Sequence, residues 1–239
     1  MIGDGVADMV DALFSVEKDC PVCKEKFQVT RVRSRLVMIK QDSDFCSYYE
    51  NVNPYYYTVW MCPHCGYAAQ DTHFDKISPA AAEKVRKFFE DRNVQIDLTG
   101  TRSREQAIVS YQLAIFCAEL TSSPASRSAG LYLRLGWLYR EAGQVEEEKT
   151  VLLKTVDYYE KALAKESMPI GPMTELTILY LIGDLLRRVG SNEKALLYLS
   201  QVVSSPQARK EKRIADLARD VWQDMRAAAR QKEPAAQHG

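Results

Sequence analysis

The stretch Val59 to Asp71, "VWMCPHCGYAAQD", decides how this chain is read, because Cys62-Pro63-His64-Cys65 fits two different chemistries. One is a disulfide-exchange dithiol, which sits where a strand runs into a helix that helps one thiolate form. The other is half of a metal site. Tyr55 to Met61 is rich in aromatic and β-branched residues, as a strand should be. A redox domain of that type, however, needs further strands alternating with helices, and beyond residue 78 the periodicity is helical throughout. A second pair, Cys20-Pro21-Val22-Cys23, favours the metal. Two Cys-x-x-Cys turns are the ligand set of a tetrahedral four-cysteine zinc site, each bend aiming two thiolates at one ion. The expected ligands are Cys20, Cys23, Cys62 and Cys65, and the expected cofactor is a structural Zn2+.

Iron is the competing metal. Two Cys-Pro-x-Cys turns resemble the rubredoxin site, and Gly66 after the second pair suits its turn. Lys24 after the first pair does not, which favours zinc. His64, lying between the cysteines of its turn, is expected to point away from the ion. His73 serves as a ligand only if one cysteine is unused.

The composition sets the class. The chain has 239 residues, 46% hydrophobic and 27% charged, enough for one large or two modest domains, with a formal net charge of zero. No global field favours nucleic acid or an anionic membrane. The first sixteen residues carry Asp4, Asp8 and Asp11 and no base, unlike a secretory signal, and no apolar run approaches a membrane span. A cytoplasmic protein is expected, with its six cysteines as thiols and ligands rather than disulfides.

The fold class expected is α+β: a small zinc-ribbon-like domain over residues 1–78, an all-α domain over 79–232, and a disordered tail at 233–239. Val6, Met9, Val10, Leu13 and Phe14 recur at helical spacing and predict a short leading helix. Phe27 to Val29, Val32 to Lys40 and Tyr55 to Met61 read as strands. Between Cys23 and Cys62 lie 38 residues, against about 15–20 in simpler ribbons, so a longer hairpin or a loop intervenes. Residues 41–54 are the obvious loop, containing Cys46 as a spare ligand, a reactive thiol or a plain loop cysteine. Arg31, Arg33 and Arg35 alternate along one predicted strand, as an anion-binding row or as a solvated face balanced by local acids.

From Ser78-Pro79 the chain has helix-start chemistry, repeated as a Ser103/Gln106 capping box. Gly183, Ala195, Leu199 and Val202 resemble the tetratricopeptide repeat, in which a small residue lets paired helices approach closely. Ala107, Tyr111 and Ala114 match its second helix; Leu135-Gly136, Tyr139 and Gly143 match its first. Glu148 breaks the pattern, but Thr155, Tyr159 and Ala162 restore it seven residues on, two turns later, which predicts one long helix over 145–166. Residues 206 to about 231 read as a closing helix. The resemblance implies a partner groove lined by Leu133, Trp137, Arg140, Glu141, Tyr180, Asp184, Arg187 and Arg188, suited to an extended peptide with carboxylates.

"CPVC" followed by "NPYYYTVWMCPHCGYA" and a helical repeat region also resembles an uncharacterised bacterial family of unknown function, found largely in Gram-positive organisms and related anaerobes. That resemblance implies the two-part architecture and a cytoplasmic location, and it brings no activity. No phosphate loop, Ser/His/Asp set or His-Glu-x-x-His helix is present, so a binding or adaptor protein rather than an enzyme is expected. Nucleic-acid association through the arginine row and a CPHC dithiol redox protein are the alternatives.

Overall fold

In the computed structural model, residues 12–90, 92 and 96–232 are described. Among the described residues six strands precede seven helices: β1 Leu13–Asp19, β2 Lys26–Val32, β3 Met38–Gln41, β4 Ser47–Tyr49, β5 Val59–Met61 and β6 Ala68–Gln70, then α1 Pro79–Phe89, α2 Arg104–Leu120, α3 Ala125–Glu141, α4 Val145–Lys165, α5 Glu175–Arg188, α6 Asn192–Ser204 and α7 Lys212–Lys232. Consecutive strands pair antiparallel into three two-stranded hairpins.

Both Cys-Pro-x-Cys segments are hairpin turns. The β1–β2 ladder runs from Leu13↔Val32 to Asp19↔Lys26, so Cys20 begins its turn. In the same way Met61 pairs with Ala68 across β5–β6, and Cys62 begins the second turn. The β3–β4 hairpin occupies the long stretch between them, which accounts for the unusual spacing.

Strand pairing corrects three local expectations. Leu13 and Phe14 belong to β1 and not to a helix, because residues 26–32 supply a ladder that outweighs a short helical pattern; Val6, Met9 and Val10 lie outside the described residues. The predicted strand Val32–Lys40 is broken between Val32 and Met38, so Arg31, Arg33 and Arg35 do not form one row. Pro54–Tyr57 forms a 3-10 turn rather than the start of β5, led by Pro54 and capped by Asn53, whose side chain accepts from the Tyr55 N–H.

The helix signals hold. Ser78 accepts from the Ala81 N–H ahead of α1, and Ser103 and Gln106 form a reciprocal capping box on α2. α4 is the single long helix expected.

Two compact units divide the chain, Met1–Val151 and Leu152–Gly239. The break falls within α4, whereas the sequence pattern placed it at residue 78. The first unit extends past the hairpins because their core continues into α1–α3: Trp60, Tyr67 and Phe74 share one apolar cluster with Phe89, Tyr111 and Leu138. Tyr111 is fully buried, and its hydroxyl donates to the Tyr55 carbonyl at 3.1 Å. Arg102 is buried as well, donating to the carbonyls of Leu98, Tyr56 and Val59 at 2.8–3.0 Å. Burial lowers its pKa to about 10, the charge of Asp97 partly opposing the shift, and three carbonyl dipoles satisfy the guanidinium.

In the second unit α5, α6 and α7 pack in sequence. A Cβ on Gly183 would stand 2.9 Å from Leu199 Cγ, so only glycine permits α5 and α6 to lie this close. Ala195, Leu199 and Val202 are all buried, as are Thr155, Tyr159 and Ala162 on α4. The proposed tail, 233–239, lies outside the described residues.

Candidate metal centre

Four sulfurs converge where the first and third hairpins turn. The Sγ atoms of Cys20, Cys23, Cys62 and Cys65 all lie within 4.8 Å of one another, the one such His/Cys/Asp/Glu cluster found among the described residues. Cys20 Sγ is 3.6 Å from Cys65 Sγ, and Cys23 Sγ is 3.6 Å from Cys62 Sγ. With Zn–S bonds of about 2.3 Å, a tetrahedron has sulfur–sulfur edges of about 3.8 Å; a disulfide would need about 2.05 Å. The spacing therefore fits four thiolates around one tetrahedral ion and no bond between sulfurs.

Backbone geometry explains the convergence. In the first turn the Cys20 N–H donates to Glu25 O and the Lys24 N–H donates to Cys20 O, at 2.9 and 3.0 Å. The second repeats this pattern, Cys62 N–H to Tyr67 O and Gly66 N–H to Cys62 O, both at 2.9 Å. Lys24 and Gly66 both adopt left-handed conformations, with φ of 69° and 72°. A lysine normally resists this region, but here Lys24 Nζ donates to the Pro21 carbonyl at 2.9 Å and helps close its turn. The two turns are thus equivalent, and the absence of glycine after Cys23 does not discriminate zinc from iron.

Cys20 and Cys62 are completely buried, Cys23 and Cys65 half-buried. Crowding couples their protons. Hydrogen bonds from Cys62 and Cys65 hold the Cys20 thiol far below its ordinary range, while Cys62 is pushed up to about 12, and Cys65 upward too, chiefly by hydrogen bonding to Cys20. A divalent cation would displace the remaining protons and make all four thiolates ligands. His64 Nε2 lies 3.2 Å from the Lys26 carbonyl and His73 Nδ1 lies 3.1 Å from Thr72 Oγ1; neither joins the cluster.

Cys46 is also separate from it. This thiol is buried, and burial followed by the charge of Asp44 pushes its pKa up to about 12, so it is neither a spare ligand nor an activated nucleophile. Its loop is not presented to solvent. Asp44 is fully buried and accepts from Trp137 Nε1 at 3.1 Å and from Arg140 Nη2 at 2.6 Å. Arg140 also donates to Asp42 Oδ2 at 3.0 Å and Glu148 Oε1 at 2.7 Å. Burial opposes the guanidinium charge, but the bonds to Asp44 and Glu148 outweigh it and hold Arg140 ionised above its usual range. Glu141 accepts from Asn53 and Tyr56 at 2.9 and 3.0 Å.

Residues expected to line a groove are thus engaged inside the chain. Trp137 and Tyr180 are buried; Arg140 is held by Asp42, Asp44 and Glu148; Arg187 and Arg188 bind the fully buried Asp184 at 2.7 and 3.1 Å. The latch formed by Asp42, Asp44 and Arg140 went unnoticed in sequence, since its members lie far apart in the chain. Arg31 and Arg33 stand over the Phe14 ring, 5.8 and 5.4 Å from its centroid, and Lys18 stands over Trp60 at 5.0 Å.

With this geometry established, comparison with known proteins places the chain. It belongs to the family described as "Uncharacterized protein conserved in bacteria (DUF2225)", which it matches over residues 13–225. A relative from Borreliella burgdorferi, named only "Uncharacterized protein", is 25% identical over 169 residues, which cover 62% of this chain and 61% of the relative. No solved structure matches. No helix among the described residues is long and apolar enough to cross a membrane.

Proposed function

We propose that this member of the uncharacterised bacterial family is an adaptor: a structural four-cysteine zinc site orders a zinc-ribbon-like hairpin module, and a tetratricopeptide-like helical part receives a protein or peptide partner. The observation that carries the proposal is the set of four sulfurs, two pairs of them 3.6 Å apart, held by two equivalent turns. A fully cysteine-ligated zinc has no open position for water or substrate, so the ion's contribution is to stability. Six free thiols accord with a reducing, cytoplasmic location. The close approach of α5 and α6 at Gly183 supports the repeat-like reading, and stacked helical hairpins provide extended binding surfaces. Trp137, Arg140, Tyr180, Arg187 and Arg188 do not carry the partner proposal, because their own chain already holds them.

The test is elemental analysis of natively purified protein, together with its visible spectrum. One zinc per chain, colourless and lost in Cys62→Ser, is the result expected. Iron with a thiolate charge-transfer band, or no metal and a Cys62–Cys65 disulfide, would overturn the zinc assignment. For the partner, affinity capture with the metal-loaded chain should yield a stoichiometric protein complex.

A second reading, nucleic-acid association, is favoured by Arg31 and Arg33 over the half-buried Phe14 ring, with Lys18 nearby on the same strand, since cations beside an accessible aromatic ring suit a stacked base and its phosphate. Binding that weakens steeply with salt would support it.

A further inference from the structure

Within the first unit, β6, the start of α1, the end of α2 and the start of α3 line a half-open cavity of about 240 Å3 that the zinc and adaptor readings leave unused. Its polarity is one-sided. His73, Lys76 and Arg127 line it, with no aspartate or glutamate among the lining residues. Neither Lys76 nor Arg127 has an ion-pair partner among the described residues. Burial first, then the charges of Arg127 and Lys76, hold the His73 imidazole below its ordinary pKa, as follows when cations share a space without a counter-charge. Helix α3 begins at the rim with no side chain capping it, and its positive end adds to the field. The remaining wall mixes apolar residues, Ile77, Ala114 and Leu131 among them, with the polar side chains of Ser78, Thr121 and Ser123. Cations and hydroxyl groups beside an apolar strip are the make-up of a small-ligand site.

We propose that this cavity binds a small organic phosphate, its dianionic head held by Arg127 and Lys76 at the start of α3 and its short remainder lying against Ile77, Ala114 and Leu131. Two cations match two negative charges, and Arg127 offers the planar fork that suits a phosphoryl group. Size narrows the class: at about 30 Å3 per water the cavity has room for about eight waters. That suits a phosphorylated compound of about three carbons held wholly within the cavity.

The test is calorimetric titration of the metal-loaded full chain at low salt with glycerol 3-phosphate, beside succinate as a non-phosphate dianion. Saturable binding is expected, weakened about tenfold or more by Arg127→Gln and several-fold by Lys76→Gln, with Arg219→Gln as an unaffected control. Lys76 is exposed, so its variant keeps the test valid if Arg127→Gln folds poorly. No saturable heat up to about 10 mM ligand, or both cavity variants binding like the parent, would overturn the site. Equal affinity for succinate would overturn the assignment to phosphate.

Discussion

Replacing Arg140 with methionine should destabilise the first unit by an amount that the buried carboxylates set. Asp44 is fully buried, and Asp42 and Glu148 are only 22% and 17% exposed as side chains. Arg140 is the group that meets all three. Removing it leaves Asp44 with N–H donors such as Trp137 Nε1 and the Cys46 backbone but without the Arg140 charge, and stranding a buried ion in this way costs about 3–5 kcal/mol. Against a total stability of about 5–15 kcal/mol, that is a large fraction. With a urea dependence of about 2 kcal/mol per molar, the unfolding midpoint should fall by about 1.5–2.5 M.

Tryptophan fluorescence in a urea titration is a suitable assay, because Trp137 hydrogen-bonds Asp44 and packs on Tyr55 with ring centroids 4.8 Å apart. The sign of a second substitution makes the test sharper. Asp44→Asn in the parent removes the strongest partner of Arg140 and should destabilise. In Arg140→Met the same change removes a stranded charge and should restore stability, giving a coupling of about 1–3 kcal/mol. A loss below about 1 kcal/mol for Arg140→Met, or additive effects in the double variant, would refute the argument that this latch is a buried, mutually dependent charge cluster.

Two other substitutable glycines and the remaining cysteines extend the predictions. Gly183→Ala places a methyl 2.9 Å from Leu199 Cγ and 3.0 Å from Cδ2; Leu199 is fully buried and cannot move into solvent. Overpacking of about 1–3 kcal/mol exceeds the helix-propensity gain of about 1 kcal/mol, so thermal unfolding should show a net loss. Gly130→Ala meets only the flexible end of Arg134 at 3.2 Å and should be neutral or stabilising; equal melting of the two variants would refute the close α5–α6 contact. Cys46 and Cys117, raised from 9.0 to about 12 and about 11 mainly by burial, should resist alkylation at pH 8. For Cys46 the thiolate fraction alone falls about a thousandfold. Mass spectrometry after labelling should therefore find no fast thiol in metal-loaded protein and, after mild chelation, the first label on Cys20, whose thiol is held low, with none on Cys46 or Cys117.

How much was legible depended on whether the deciding partner lay nearby in the chain. Cys20-Pro-Val-Cys23 and Cys62-Pro-His-Cys65 are self-contained turns, so their chemistry shows in four residues, and it remained only for the fold to bring them together. The Ser103/Gln106 cap is equally local, and the seven-residue return at Thr155, Tyr159 and Ala162 gives α4 its length. Leu13 and Phe14 fit a helical period, but residues 26–32 pair with them. Lys24 gives no glycine signal, yet its own ammonium supports a left-handed turn.

The residues assigned to a groove are engaged within the chain for a related reason. Hydrophobic and charge patterning tells which side of a helix is apolar or polar, and it does not tell what covers that side. Arg140 has a nearby acid in Glu148, but its decisive counter-charges, Asp44 and Asp42, lie 96 and 98 positions away. Trp137, read as a groove aromatic, is covered by the same distant hairpin. The extent of the first unit follows from this: hairpins too small to bury a core alone take Tyr111, Arg102 and Trp137 from beyond residue 78. The four-cysteine site therefore lies at the turns of hairpins whose core is shared with α1–α3, and disrupting that site should loosen the hairpin turns before it disturbs α1–α3.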